Sequence, residues 1–596
     1  MIDGWSSGEK KALVGTVLFV LAIVPFLRSI TFDAINFDDY PYTLNNPFVV
    51  NGLTWNGVKY AFAGTRTLGV WFPLTMLSYQ TDVVIAGATA QTFHLSGLLW
   101  HGAATVALFL LICEVVAQRF QDGPVLQGII ISAVMALCWA VHPQRVESVV
   151  WIASRKDLVS GFFAFLSLWA YLKTQPAEMT GPVAAVPVKL RGEIFIWLFF
   201  LLAIMGKPSV MTLPLAMGCE EWLVRRQVSW KRLVVPFVMA VGCAILAVFM
   251  QTDVELFSPG TGHLPLWDRC ITSLASIFYY VKTLFFPGAL SLFYPWPRDL
   301  EYGRALVGMG ILCVLLIVAA KTYVQWQTNR TKSGKVWGDV ACIGLWFLGT
   351  LAPMLSLFMF GMHARADRFS YLPCVAVAVG MAVLLMSLRK TWLVTVFVLG
   401  VCFLYGVKAY NETWFWENSV SVFERAVAVT QDNAKAYCML ASAYTMDQNR
   451  VPEARDALRK SVALRPNSEN LGLLAFLLCS NATPEEQAES IIFARQALQL
   501  NVNEKSALAA LGAYALQKGE WREAESFLLR SLQNQNEPQP VILEWLGLAK
   551  FNQKKYKEAL EAFEQAASVP RFLTPVLQER ITLARQKSQQ LKEGKK

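Results

Sequence analysis

The stretch "HPQRVESVVWIASRKDLVSGFFAFLSLWAYL", residues 142–172, carries five charged residues in its first sixteen positions and none in its last fifteen. A charged turn that feeds an unbroken apolar run is the pattern of a chain leaving water for lipid, because a spanning helix needs about 20 mostly apolar residues. The same alternation recurs on both sides. Apolar runs lie at about 12–31, 93–113, 125–141, 157–172, 193–206, 208–224, 233–250, 303–320, 338–360, 372–388 and 391–408. The composition agrees: 55% of the 596 residues are hydrophobic and 16% charged, against about 25% charged in ordinary soluble domains.

Charge distribution orders the runs. The net charge of +10 sits in short basic clusters beside apolar runs, such as Arg225, Arg226, Lys231 and Arg232, or Arg330, Lys332 and Lys335. That is the positive-inside pattern of a membrane protein. No basic stripe with interleaved aromatics occurs, which speaks against a nucleic-acid partner. With Lys10 and Lys11 inside, alternation puts 32–92, 142–156 and 251–302 outside, and the basic segments 173–192, 225–232, 321–337 and 389–390 inside. This needs 268–290 to lie at the interface or re-enter. Its uninterrupted run from Ile271 to Val281 is too short to span. Eleven crossings follow, and the C-terminal region lies on the side opposite the N-terminus; a twelfth crossing at 268–290 is the alternative. The first run reads as a retained signal-anchor helix. Nine of the eleven cysteines fall in or beside apolar runs and none has metal-ligand spacing, so neither a disulfide framework nor a zinc site is expected.

From about Trp414 onward the chain reads like a soluble protein. "ALAALGAYALQKGEWREAESFLLRSL" (507–532) and "VILEWLGLAKFNQKKYKEALEAFEQAA" (541–567) align at a spacing of 35, matching Leu511-Gly512 to Leu546-Gly547 and Ala524 to Ala559. Ala454 lies two periods before Ala524, and a degenerate unit falls around Ser490 to Leu498. Self-similarity near 34 residues marks tetratricopeptide repeats, in which small residues let two helices approach and large apolar ones fill the stack. About four repeats are expected, at 411–590, following a membrane domain at 1–410. The fold class is all-α, a polytopic bundle of about 11 spans followed by an α-solenoid.

Four features hold the candidate chemistry, and the parity assignment puts all of them on one side of the membrane. Asp38 and Asp39 follow the first run. They can be a solvated loop or helix cap, or a general base, with a divalent metal contact as a further use of the same carboxylates. The second cluster holds His142, Arg145, Glu147, Arg155, Lys156 and Asp157, where basic residues outside the positive-inside face call for nearby acids or an anionic ligand. Lys207 precedes Pro208 at a turn between two runs. The last cluster, "GMHARADRFSYLP", contributes His363, Arg365, Asp367, Arg368 and Tyr371. A pocket with carboxylates and many cations suits a hydroxyl acceptor that needs a base and a phosphoryl leaving group that needs positive charge. No P-loop, dinucleotide-binding glycine motif, nucleophile elbow or HExxH segment is present.

At these residues the chain resembles a known family. "FDDYPYTLNNPFVVNGLTW", "WFPLTMLSYQTD", "FHLSGLLWHGAATVALFLL", the 142–172 stretch, "KPSVMTLPLAMGCEEW", "ADRFSYLP" and "WENSVSVFERAVAV…NAKAY" follow one another in the order seen in GT-C membrane glycosyltransferases with C-terminal tetratricopeptide repeats. These include the transmembrane and tetratricopeptide-repeat O-mannosyltransferases of animals and their bacterial relatives. The resemblance implies a polyprenyl-phosphate-linked sugar donor and transfer outside the cytoplasm to a hydroxyl of an acceptor protein, with O-mannosylation as one form. The base falls on Asp38 or Asp39, Asp39 being the second choice. Arg155, Lys156, Arg368 and Lys207 fall on the lipid phosphate; His142, Arg145, Glu147, Asp157, His363, Arg365, Asp367 and Tyr371 support the pocket. Ser154 stands where relatives often have Glu, and "GMHARADR" lacks the Gln they often carry before Ala-Asp-Arg. No cofactor is implied beyond a divalent metal, and members of the wider fold differ in that. Transfer to a lipid or glycan acceptor, and a non-catalytic scaffold acting through the repeats, are the rival readings. A bacterial inner membrane with a cytoplasmic N-terminus, surrounding lipid and periplasmic repeats holding the acceptor is the expected setting.

Overall fold

The computed structural model describes residues 6–65, 71–174, 190–251, 264–328, 332–358, 363–388, 391–446, 450–479, 483–533, 539–569 and 572–593. The basic positions 175–189, 329–331 and 389–390, used above to assign sides, lie outside the described residues. Two compact units emerge: 1–256 with 264–432, and 433–596 with 257–263. Residues 411–432, grouped with the repeats by sequence, pack within the first unit. There Asp33 N–H donates to the Glu417 carbonyl and Asn36 N–H to Ser419 Oγ.

Among the described residues each of the eleven apolar runs holds a helix. The principal helices of the first unit are α1 (Ser7–Ile23), α2 (Ala90–Arg119), α3 (Val125–Ala140), α4 (Arg155–Lys173), α5 (Leu190–Gly206), α6 (Leu213–Arg225), α7 (Trp230–Gln251), α8 (Leu266–Phe285), α9 (Tyr302–Thr328), α10 (Lys332–Leu351), α11 (Cys374–Met386) and α12 (Thr391–Thr413). Among the described residues six segments are long and apolar enough to cross a membrane: 7–31, 90–119, 230–247, 302–324, 336–354 and 391–416. The shorter α3 and α11 are also apolar. This is the architecture of a multi-pass membrane protein. Outward-facing Val234, Val238, Leu306, Val314, Phe397 and Phe403 are exposed because their solvent is hydrocarbon. The 268–290 stretch is helical up to Phe285, as part of the 20-residue helix α8, and continues without helix from 286. It buries Ile271, Ala275 and Ser276 on one face and packs on α9.

Helix α4 lies at the centre, against α2 on one side and α5 on the other. Gly206 makes the second approach possible: a Cβ there would sit 2.9 Å from the backbone nitrogen of Ser160. That contact delivers the next residue, Lys207, to the start of α4. Thr75, on the helix Pro73–Ala86, pins the same turn by donating to the Gly206 carbonyl at 3.0 Å.

The second unit stacks four helix hairpins: α13 (Ala434–Thr445) with α14 (Val451–Leu464), α15 (Ser468–Cys479) with α16 (Pro484–Leu500), α17 (Lys505–Lys518) with α18 (Trp521–Leu532), and α19 (Pro540–Asn552) with α20 (Tyr556–Ala567). Helix α21 (Pro575–Glu593) packs on the last. The matched alanines Ala454, Ala524 and Ala559 are fully buried. A Cβ on Gly512 would meet Leu528 at 2.7 Å, which is why the repeat keeps a small residue there. The degenerate second unit folds as a complete hairpin, with Ala475, Ala494 and Ala497 in its core.

Candidate functional site

Four connections of the first unit converge at one end of its helices: the loop after α1, the turn between α3 and α4, the turn between α5 and α6, and the segment before α11. Asp39 stitches the first two together. Its carboxylate is fully buried. Oδ2 accepts the Ile35 N–H and Oδ1 the Ala153 N–H, both at 2.8 Å. Burial pushes this carboxyl up to about 7, against the two amide hydrogen bonds that favour its charged form. Asp38, one residue earlier, is half-buried and lies within electrostatic range of Lys156 and Arg368. The two adjacent acids therefore differ in kind: one is a structural bracket, the other is half-buried within the field of Lys156 and Arg368.

That cluster is built from three connections. Lys156, in the first turn of α4, is buried with its ammonium 5.1 Å from the Tyr42 ring centre and 5.7 Å from that of Phe72. Among the described residues it forms no hydrogen bond or ion pair. Lys207 Nζ meets Asp157 Oδ1 at 2.5 Å. Arg368 forms an ion pair with Glu147 through Nη1, while its backbone N–H donates to Glu147 Oε2 at 2.7 Å. Burial, opposed by Arg368, raises the Glu147 carboxyl to about 7. Arg368 Nη2 lies 3.2 Å from His363 Nε2. Burial, then the fields of Arg368, Lys156 and Lys207, hold that imidazole well below its ordinary range, so it is neutral and accepts. A gap of about 20 Å³ separates Asp157, Lys207, Arg368 and Phe369, which is room for about one water.

Other expected pocket residues turn away from this cluster. Arg155 is 1% exposed, pairs with Asp82, donates to the Phe93 carbonyl at 2.6 Å and stacks 4.4 Å from the Tyr79 ring centre. Its guanidinium braces the turn and is engaged on several sides. His142 Nε2 meets the Leu284 carbonyl at 3.0 Å. Arg145 donates to Ser370 Oγ at 2.8 Å and lies against Trp139 and Tyr371. The Tyr371 hydroxyl meets His101 Nδ1 at 3.1 Å. Asp367 accepts from the Tyr294 hydroxyl at 2.8 Å and is raised to about 6 by burial. Asp82, Tyr79 and Tyr294 received no role from sequence. Asp82 closes the quoted "WFPLTMLSYQTD" segment, so an acid in a recognised motif was the available signal; nothing local marked Tyr294.

The carboxylate pair is a poor metal site. Both Asp39 oxygens already accept amide hydrogens in a buried position, the Lys156 ammonium shares the field of Asp38, and no group of three His, Cys, Asp or Glu converges among the described residues.

Comparison with known proteins agrees with both halves of the chain. The tetratricopeptide-repeat family matches residues 434–468 and 542–571. A human protein O-mannosyl-transferase, TMTC3, is 21% identical over 417 residues, covering 63% of this chain and 43% of that protein. Human protein O-mannosyl-transferase TMTC4 is 22% identical over 484 residues, 72% of this chain and 62% of that protein. The chain thus spans less than two thirds of either relative. Among solved structures, ArnT from Cupriavidus metallidurans bound to undecaprenyl phosphate aligns over 94% of this chain and 81% of that one, at 12% identity and a TM-score of 0.31. The chain is thus a multi-pass membrane protein with tetratricopeptide repeats that is similar in sequence to the protein O-mannosyl-transferases TMTC3 and TMTC4.

Proposed function

We propose that the chain is a membrane glycosyltransferase that moves a sugar from a polyprenyl-phosphate donor to a hydroxyl of a protein, Asp38 serving as the base. The carrying observation is the division of labour at the acid pair. Asp39 is consumed by two backbone amides, whereas Asp38 is half-buried within the field of Lys156 and Arg368. In a single displacement, Asp38 takes the proton of the attacking hydroxyl. The sugar's anomeric carbon exchanges its bond to the phosphate oxygen for one to the acceptor oxygen, with inversion. Lys156, whose ammonium has no ion-pair partner among the described residues, stabilises the departing phosphate, with Arg368 and Lys207 adding positive potential from their carboxylate pairs. An apolar groove of about 250 Å³, lined by Met135, Phe397 and Val401 and reaching His142 and Arg145, supports a lipid-linked donor. The repeats serve acceptor recruitment, and the reaction takes place on the non-cytoplasmic side.

The test is a pair of single variants in lipid nanodiscs, supplied with polyprenyl-phosphate mannose and an acceptor polypeptide. Asp38→Asn is expected to lower transfer by about 10²–10⁴-fold with an unchanged melting temperature. Asp39→Asn replaces one acceptor oxygen by a donor facing an amide N–H, and is expected to lower the melting temperature as well as activity. Full transfer by the Asp38 variant would remove the assignment.

A further inference from the structure

The segment 363–371 separates two environments. Arg368 turns toward Glu147 and the cation cluster, whereas Arg365 lines a different chamber of about 590 Å³ bordered by α8, the 286–304 connection and residues 429–432. Nothing in the reaction proposed above uses that chamber. Arg365 is the cation there that lies against two aromatic rings. The guanidinium carbon lies 3.5 Å from the Tyr279 ring centre and 4.4 Å from that of Tyr294, so an aromatic ring approaches it from each tyrosine. Both rings are anchored: the Tyr279 hydroxyl donates to Glu301 at 2.9 Å, the Tyr294 hydroxyl to Asp367 at 2.8 Å, and the Tyr294 carbonyl accepts the Ala364 N–H at 2.9 Å. Among the described residues the Arg365 guanidinium makes no ion pair and no hydrogen bond. Stacked faces leave a guanidinium's in-plane N–H donors as its available edge, and such a fork matches a carboxylate in bidentate fashion.

The wall decides which anion. Its four basic residues are matched by four acidic ones, and Arg304 is already paired with Glu301. A wall of zero net charge offers a dianionic phosphate no excess positive potential, while leaving one pre-organised fork for a single negative charge. The same chamber is lined by Thr272, Ser276, Thr283 and Thr430, whose hydroxyl oxygens can accept from the amide groups of a peptide. We infer that this chamber docks the acceptor polypeptide, and that Arg365 reads an aspartate or glutamate side chain near the hydroxyl residue to be modified. The inference rests on the transferase reading, which places a protein acceptor at this end of the bundle.

The test is direct binding. The full chain in nanodiscs of neutral phospholipid is titrated into two fluorescently labelled 12-residue peptides that differ only in carrying two glutamates or two glutamines beside a central threonine. Wild type is expected to hold the glutamate peptide on the order of 10-fold more tightly, as a charge-assisted hydrogen bond allows. Arg365→Gln should erase the preference while leaving affinity for the glutamine peptide unchanged, and Arg365→Lys, which keeps the charge but lacks the fork, should restore only part of it. Equal binding of the two peptides by wild type overturns the inference, and that result needs no variant to fold. A preference that survives in Arg365→Gln also overturns it, since the charge would then be read elsewhere. Stronger competition by inorganic phosphate than by acetate assigns the chamber to a phosphate ligand and equally rejects the carboxylate. A preserved preference with no sugar transferred to either peptide would remove the transferase reading and leave the carboxylate site standing.

Discussion

Ion pairs are common in both units of this protein, and they differ in what surrounds them. In the first unit Arg155 and Asp82 meet with side chains 1% and 11% exposed, and Lys207 and Asp157 with 11% and 7%. In the repeats Arg459 and Glu489 meet at 48% and 37%, and Arg585 and Glu564 at 58% and 48%. Chemistry and separation are similar, but water screens the second set and not the first. Exposed pairs are worth about 0–1 kcal/mol. A buried pair gains little over a well-packed apolar replacement, yet removing one partner costs about 3–5 kcal/mol because the survivor stays charged without water. The first unit therefore concentrates its sensitivity where its chemistry is proposed to be. The repeats spread theirs over small residues and apolar stacking.

The largest effect that can break this comparison is Asp82→Asn. It strands Arg155 beside the Phe93 carbonyl, and an unfolding loss of about 3–5 kcal/mol is expected in the first unit, read as an earlier melt of that unit alone. If the melt is unchanged, the pair is effectively wet and the contrast fails.

Acidity separates the units next. Asp39 and Glu147 rise to about 7 and Asp367 to about 6 through burial, and in the repeats Glu504 rises to about 7. A carboxyl whose folded value lies above its unfolded one binds its proton more tightly when folded. Its stabilisation is complete below about pH 4 and is lost as pH climbs through 6 to 7. The first unit, through Asp39, Glu147 and Asp367, should melt higher at pH 5 than at pH 8 by a wider margin than the second. A first unit that gained stability with rising pH would contradict this.

Packing in the repeats comes third. Gly512→Ala drives a Cβ to within 2.7 Å of Leu528, and overpacking of this kind costs about 1–3 kcal/mol, measurable by urea unfolding. The smallest effect is Glu489→Gln, which breaks an exposed pair with Arg459 and should change stability by less than about 1 kcal/mol. A larger loss would show that the repeat surface is not screened as described.

Much of the architecture was legible in the chain because its signals are local. Apolar runs of spanning length specify helices wherever they occur, and a 35-residue period specifies stacked hairpins, since each hairpin needs a neighbour to cover its apolar face. The candidate site was legible as a set of segments. His142, Arg145, Glu147, Asp157, His363, Asp367 and Arg368 do come from connections that meet at one end of the bundle. Their individual duties were not legible. Asp38 and Asp39 are identical in type and adjacent, as are the cations Arg155 and Lys156, yet successive side chains on a turn point in different directions and meet different partners.

What the sequence determined by itself was the helical, multi-pass character of the chain, the repeats and the segments rich in charge. Only the tertiary structure decided that Asp39 is a bracket while Asp38 lies half-buried in the field of Lys156 and Arg368, that Arg155 is tied to Asp82 while Lys156 has no ion pair among the described residues, and that Arg365 and Arg368 line different spaces. The physical reason is that a charged group's role depends on its burial and its partner. For these residues both are supplied by segments tens to hundreds of positions away, such as Ala153 for Asp39 and Glu147 for Arg368.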